Sequence, residues 1–167
     1  MPDRQFLHPR SFWGAHTGPN PTDRGKAGVK HHVATDGQGT PLVAQVTAAN
    51  VHDSRQLLPL INAIPRVRGR VGAPKQRPGS VCADKAYDSR RLRNELLRRG
   101  VVPEISHKYE TEDGLGRDRW RVERTLAWYR QFRRLKLCYE KLPEMHQGFL
   151  DLATCLITFR RFPQAFC

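Results

Sequence analysis

Ser80–Asp88 (SVCADKAYD) and Arg119–Arg130 (RWRVERTLAWYR) are the stretches from which the fold of this chain is read. In the first, the short apolar run Ser80–Ala83 stops at Asp84, the pattern of a strand that ends in a carboxylate. Such a side chain projects at the carboxyl edge of an open α/β sheet, where ligands bind. In the second, Arg119, Glu123 and Arg130 stand four and seven positions apart, which brings all three onto one face of a helix. Two carboxylates on separate rigid elements, set among Arg and Lys, suit a site for a divalent metal and a phosphodiester. Two-metal chemistry needs acidic groups that hold the ions about 3.5–4 Å apart. Mg²⁺, with Mn²⁺ as its substitute, takes oxygen ligands of this kind. Each residue also has a plainer reading. Asp at a strand end commonly makes a turn or cap, and Glu among Arg on a helix is commonly half of a surface ion pair.

Working outward, residues 1–28 read as loop, rich in Pro and Gly. Val29–Thr35 and Pro41–Thr47 then read as the strands of a hairpin around Asp36-Gly37-Gln38-Gly39. Asp53 or Ser54 caps a helix carrying Leu57, Leu58, Leu60, Ile61 and Ile64, which Pro59 delays or kinks. Residues 65–79 form a basic loop. Ser89–Arg99 reads as a helix with Leu92, Leu96 and Leu97 on one face and Gly100 as its stop, followed by a strand over Val101–Ile105. One helix is expected from Asp118 to Arg134. Another runs from Met145 to Phe159 and buries Phe149, Leu152, Ala153, Leu156 and Phe159. The order β-β-α-β-α-β-α-α predicts an α/β sheet covered by helices.

With 29 Lys and Arg against 16 Asp and Glu, the chain carries a formal charge of +13, and a polyanion is its natural partner. No apolar run is long enough to span a bilayer, and no charged-then-apolar leader is read at the start. Cys82, Cys138, Cys155 and Cys167 are scattered. That argues for a reduced, cytosolic protein and against zinc, with Cys82 and Cys155 read as small buried hydrophobes. The spacings of His31, His32, His52 and His107 match no metal motif. Trp120 and Trp128 share one helix side, where core packing and base stacking are both open.

Taken together, TGPNPTDRGKAGVKHHVATDGQGTPL, VTAANVHDS, ADKAYD, RWRVERTLAWYRQFRRL and FLDLATCLITFRRF resemble the insertion-sequence transposases of the Asp-Asp-Glu (DDE) class, insertion-sequence-five group. The resemblance runs from Thr17 to Phe162. It implies a ribonuclease-H-like mixed sheet flanked by helices, with Asp84 as the second catalytic and metal-binding carboxylate and Glu123 as the third. It matches Arg119 and Arg130 to the basic positions around that Glu, while the Tyr that precedes the pattern in many relatives falls at Gly116. Lys30, Arg119 and Arg130 are then the expected contacts to DNA backbone phosphates.

The resemblance also implies an earlier strand ending in the first catalytic Asp. The window MPDRQFLHPRSFWGAH offers only Asp3, with no apolar strand before it. The expected organisation is a non-family-like segment over 1–16, a DDE catalytic domain over 17–162 whose first strand is lacking or degraded, and a tail over 163–167. The implied activity is DNA transposition: metal-dependent cleavage and strand transfer at insertion-sequence ends, in the cytoplasm at the nucleoid. The missing acid leaves two readings open. One is a downstream frame expressed as a frameshift fusion, with double-stranded DNA, a second copy or the upstream-frame product as partners. The other is an inactive remnant, a basic DNA-binding or transposase-inhibiting fragment. A ribonuclease-H-like nuclease such as a repair resolvase is disfavoured by the Arg119–Arg130 and Asn50–Asp53 segments.

Overall fold

The computed structural model describes residues 17–21, 24–25, 27–66, 71–106, 116–136, 140 and 142–162, with the backbone alone described over 116–119. The chain divides into two compact units, one formed by Met1–Val51 with Val122–Cys167 and the other by His52–Arg121.

In the first unit, β1 (Gly18–Pro19), β2 (Ala27–Thr35) and β3 (Pro41–Ala48) form an antiparallel sheet in that order. The hairpin between β2 and β3 closes as its sequence dictates. Asp36 turns its carboxylate onto the following backbone, accepting from Gln38 N at 2.8 Å and Thr40 N at 2.7 Å. Gly39 takes a φ of 80°, a conformation that disfavours a Cβ. One sheet face carries Val29, Val33, Ala44 and Val46 into a core completed by Tyr129, Leu135, Leu150, Ala153 and Ile157. These come from α3 (Gly116–Tyr129), α4 (Arg133–Lys136) and α5 (Pro143–Arg161).

β3 is the sheet's outer strand, and α5 runs along it. The Gln147 side chain accepts from Val46 N and donates to the Ala44 carbonyl, both at 2.9 Å. Its amide thus stands in for a neighbouring strand and satisfies an otherwise open edge.

In the second unit, a one-turn 3₁₀ helix (Asp53–Arg55) leads into α1 (Leu57–Asn62). β4 (Ser80–Ala83), α2 (Arg90–Arg98) and β5 (Val102–Ile105) then make a parallel pair with its crossover helix. Leu57, Ile61, Leu92, Leu96, Val101 and Ile105 form the core here, and Gly100 (φ 72°) ends α2 as expected.

The chain is mixed α/β, but five expectations change. Among the described residues the strands form two small sheets, one in each unit, instead of one. Each strand pairs with the partner that its tight turn or crossover helix delivers. The expected helix over 118–134 stops at Tyr129, because Gln131 N and Phe132 N tighten onto Trp128 O and Tyr129 O before α4 begins. His52, not Asp53 or Ser54, caps the 3₁₀ turn by accepting from Ser54 N. On α5 the buried residues are His146, Leu150, Ala153 and Ile157, while Leu152 (56%) and Phe159 (76%) are exposed. Gln147 on β3 and Thr158 on the Pro41 carbonyl rotate the helix so. Cys82 and Cys155 are likewise exposed, not buried.

Candidate catalytic carboxylates and nucleic-acid interface

Asp84 stands where β4 ends, in the second unit. It is the N-cap of a one-turn 3₁₀ helix, Lys85–Tyr87, and its Oδ1 accepts from Lys85 N at 2.6 Å. This bond orients the carboxylate. Close by in the chain, Arg93 pairs with Asp88 at 2.8 Å and also donates to the Ile105 carbonyl. The turn is thereby tied to the α2–β5 layer.

Glu123 lies on α3 in the first unit. Two and six residues on, Thr125 and Tyr129 are 0% and 1% exposed, and the Tyr129 and Thr154 hydroxyls meet at 2.6 Å. Burial of that phenol raises its pKa to about 12, so the hydroxyl keeps its proton. Glu123 sits across the helix from these anchors and is exposed. Its neighbours are fastened to the hairpin turn. The Arg124 guanidinium donates to the Gln38 carbonyl at 2.6 Å, and the Thr125 hydroxyl donates to the Gly39 carbonyl at 2.5 Å. Arg161 of α5 reaches the same Gln38 carbonyl at 3.2 Å. The Arg124 and Arg161 guanidinium carbons lie 4.9 and 5.1 Å from the Trp128 ring centre, a cation–π cluster. Trp128 itself packs against the core, whereas Trp120 is half exposed.

The expected phosphate contacts are placed unevenly. Lys30 is only 7% exposed, and its ammonium donates to the Val51 carbonyl at 3.1 Å. A phosphate could claim it only in competition with that bond. Arg130 follows the last residue of α3 and is half-buried, its N–H still bonded to the Leu126 carbonyl. Arg119 lies on the backbone of α3, with its side chain outside the described residues, as are Asp3 and His107. Glu123, Lys30 and Arg130 share one unit, and Asp84 belongs to the other.

Carboxylate oxygens at the ends and faces of rigid elements are the donors that hard divalent cations take, so the chemistry of Asp84 and Glu123 fits Mg²⁺. Among the described residues no group of three His, Cys, Asp or Glu comes together as a metal cluster. The sequence reading missed the anchoring of Arg124, Thr125 and Arg161 on the hairpin turn. It also missed a contact between His31 of β2 and His146 of α5, whose Nε2 atoms lie 2.9 Å apart. The Arg124 and Thr125 bonds end on backbone carbonyls, which leave no side-chain signal in the sequence. Among the described residues, no helix is long and apolar enough to cross a membrane.

Comparison with known proteins gives consistent matches. The sequence model of the family described as "Transposase DDE domain" matches residues 4–157. The chain is 51% identical to a protein assigned as the transposase for insertion sequence element IS402 of Burkholderia cepacia. That match covers 97% of this chain and 79% of the relative. It is 28% identical to the transposase for insertion sequence element IS1106 of Neisseria meningitidis serogroup B, over 78% of this chain and 46% of that one. No solved structure matches.

Proposed function

The chain belongs to the DDE-domain transposases, and from that premise we propose that it cleaves DNA at insertion-sequence ends and joins the freed 3′ ends to target DNA. Its family carries out DNA transposition and uses divalent metal ions. In this reading Asp84 and Glu123 hold Mg²⁺, which Mn²⁺ replaces, within a ribonuclease-H-like catalytic domain over 17–162. A metal held there would supply Lewis-acid activation of the attacking oxygen and stabilisation of the leaving oxygen. Lys30, Arg119 and Arg130 meet backbone phosphates and position the duplex without reading its bases. Water attacks first, and the 3′ hydroxyl so released attacks the target phosphodiester.

The observation that carries this reading is the presentation of Glu123, an exposed carboxylate on a helix whose opposite side is anchored in the core by Thr125 and Tyr129. Positioned chemistry needs that combination of a solvent-facing group and a rigid support.

A second reading has its own support. The chain carries +13 net charge, and no three-donor cluster forms among the described residues. A basic fragment that binds DNA and suppresses a complete transposase would need no more than this. One assay separates the two. Plasmid nicking is measured with Mg²⁺ or Mn²⁺ beside DNA binding, for the wild type, Asp84→Asn and Glu123→Gln. Transposase chemistry requires metal-dependent nicking that both variants lose while binding persists. Binding without nicking in the wild type sinks the catalytic reading and leaves the binding one.

A further inference from the structure

The hairpin turn between β2 and β3 sits far from Glu123 in sequence, yet the two residues that follow Glu123 both end on it. Arg124 donates to Gln38 O and Thr125 to Gly39 O, and each contact spans 86 positions of chain. Arg161 brings the last turn of α5 to the same turn through Gln38 O and, at 3.1 Å, Thr40 Oγ1. The turn is itself held from within by Asp36 and by the left-handed Gly39. Three side chains from two helices therefore converge on a few atoms of a rigid loop.

We propose that this turn is the seat that fixes the rotation of α3 and so aims Glu123, with Thr125 as the positioning residue. The inference rests on the reading of Glu123 as a metal-holding carboxylate. Geometry supplies the leverage. Glu123 precedes Thr125 by two residues, which places it roughly 160° round the helix. A carboxylate about 6 Å from the axis moves about 1 Å when the helix turns by about 10°. Catalytic constellations tolerate only about 0.5 Å of error, and a misplacement of about 1 Å can cost about 100-fold in rate. Thr125 suits the task because it is fully buried, its β-branched side chain has few χ1 choices, and its hydroxyl is committed to the Gly39 carbonyl. Arg124, its guanidinium over the Trp128 ring, bonds the same turn beside it.

The test uses the full chain with Thr125→Val, Thr125→Ser and Glu123→Gln, well below the melting temperature of each. Mn²⁺ binding is followed by loss of the free-ion electron paramagnetic resonance signal, with melting temperature and plasmid nicking measured alongside. Thr125→Val keeps the shape and deletes the donor. It is expected to weaken Mn²⁺ binding about ten-fold, the low end of the effect of losing a supporting contact. Thr125→Ser restores the donor and should restore binding. If Thr125→Val lowers the melting temperature but binds Mn²⁺ like the wild type, Thr125 is only a packing residue and the proposal falls. If Glu123→Gln binds Mn²⁺ like the wild type, or the wild type binds none, the reading of Glu123 fails first and takes the seat with it.

Discussion

The Nε2 atoms of His31 and His146 lie 2.9 Å apart, with the ring centroids 5.1 Å apart and the ring planes 23° from parallel. One ring nitrogen must donate and the other accept. His146 is 2% exposed and its Nδ1 meets no hydrogen-bond partner among the described residues. An orphaned lone pair there costs less than an orphaned N–H. The arrangement therefore favours His146 donating through Nε2–H to the bare Nε2 of His31.

A pH dependence follows from this pair. Burial lowers the pKa of His146 from its ordinary value, against a smaller opposing pull from Glu140. A lowered histidine pKa means that the unfolded chain binds the proton more readily than the folded one. Stability is then complete above about 6.5, the unfolded value, and falls as pH drops below it. Urea unfolding of the wild type from pH 7.5 to pH 5 should show that decline, and His146→Gln should flatten it. A slope unchanged in the variant would assign the acid sensitivity to other groups.

A side chain at Gly18 would crowd Asn50 and Ala48. A Cβ there would lie 2.3 Å from Asn50 Oδ1, 2.8 Å from Asn50 Cγ and 3.1 Å from Ala48 Cβ. Gly18→Ala should cost about 1–3 kcal/mol as an overpacking change. Part of that should return when Asn50→Gly is added, because the nearest obstruction is the Asn50 side chain. Equilibrium denaturation of both variants measures this, and an unaltered Gly18→Ala midpoint would mean that β1 is not seated against residue 50.

Gln147 should matter beyond its size. Its amide bonds both a donor and an acceptor on the open edge of β3. Gln147→Leu loses both, and Gln147→Glu keeps the acceptor for Val46 N but sets a carboxylate oxygen against the Ala44 carbonyl and the Asp151 carboxylate, to both of which the amide nitrogen donates. A backbone group left without its partner costs about 1–3 kcal/mol, so both variants should be less stable than the wild type. Light scattering should also rise for Gln147→Leu, since an uncovered edge invites strand pairing between chains. A Gln147→Leu stability equal to the wild type's would show that edge satisfaction is not what the residue supplies.

What could be read from the chain, and what could not, divides by the range of the interaction. The Asp36–Gly39 turn, the stop at Gly100 and the strand ending at Asp84 are written in a few adjacent residues, and each forms where its sequence says. The end of α3 is not written locally. Arg130, Gln131 and Phe132 include no Gly or Pro, and the break comes from carrying Phe132 and Leu135 into the core. The support of Glu123 was illegible for the same reason, since its contacts lie 86 positions away on backbone carbonyls that have no side-chain signature.

The last helix makes the point most sharply, because α5 carries two apolar stripes. Met145, Phe149, Leu152, Leu156 and Phe159 form the more obvious one. The stripe that is buried contains His146, Leu150, Ala153 and Ile157, with a histidine that weakens it to the eye. The neighbouring Gln147, Thr154 and Thr158 decide between them, since each has a hydrogen-bond partner on β3 or α3 only in the observed rotation. Leu150→Ala should therefore cost about 2–5 kcal/mol, as for a leucine removed from a closed core. Leu152→Ala should stay within about 0.5 kcal/mol, as for an exposed position. Urea midpoints for the pair decide the matter. A large loss at Leu152 would mean that a second surface covers this face in solution, and size-exclusion chromatography of Leu152→Ala against wild type would then reveal whether that surface is another copy of the chain.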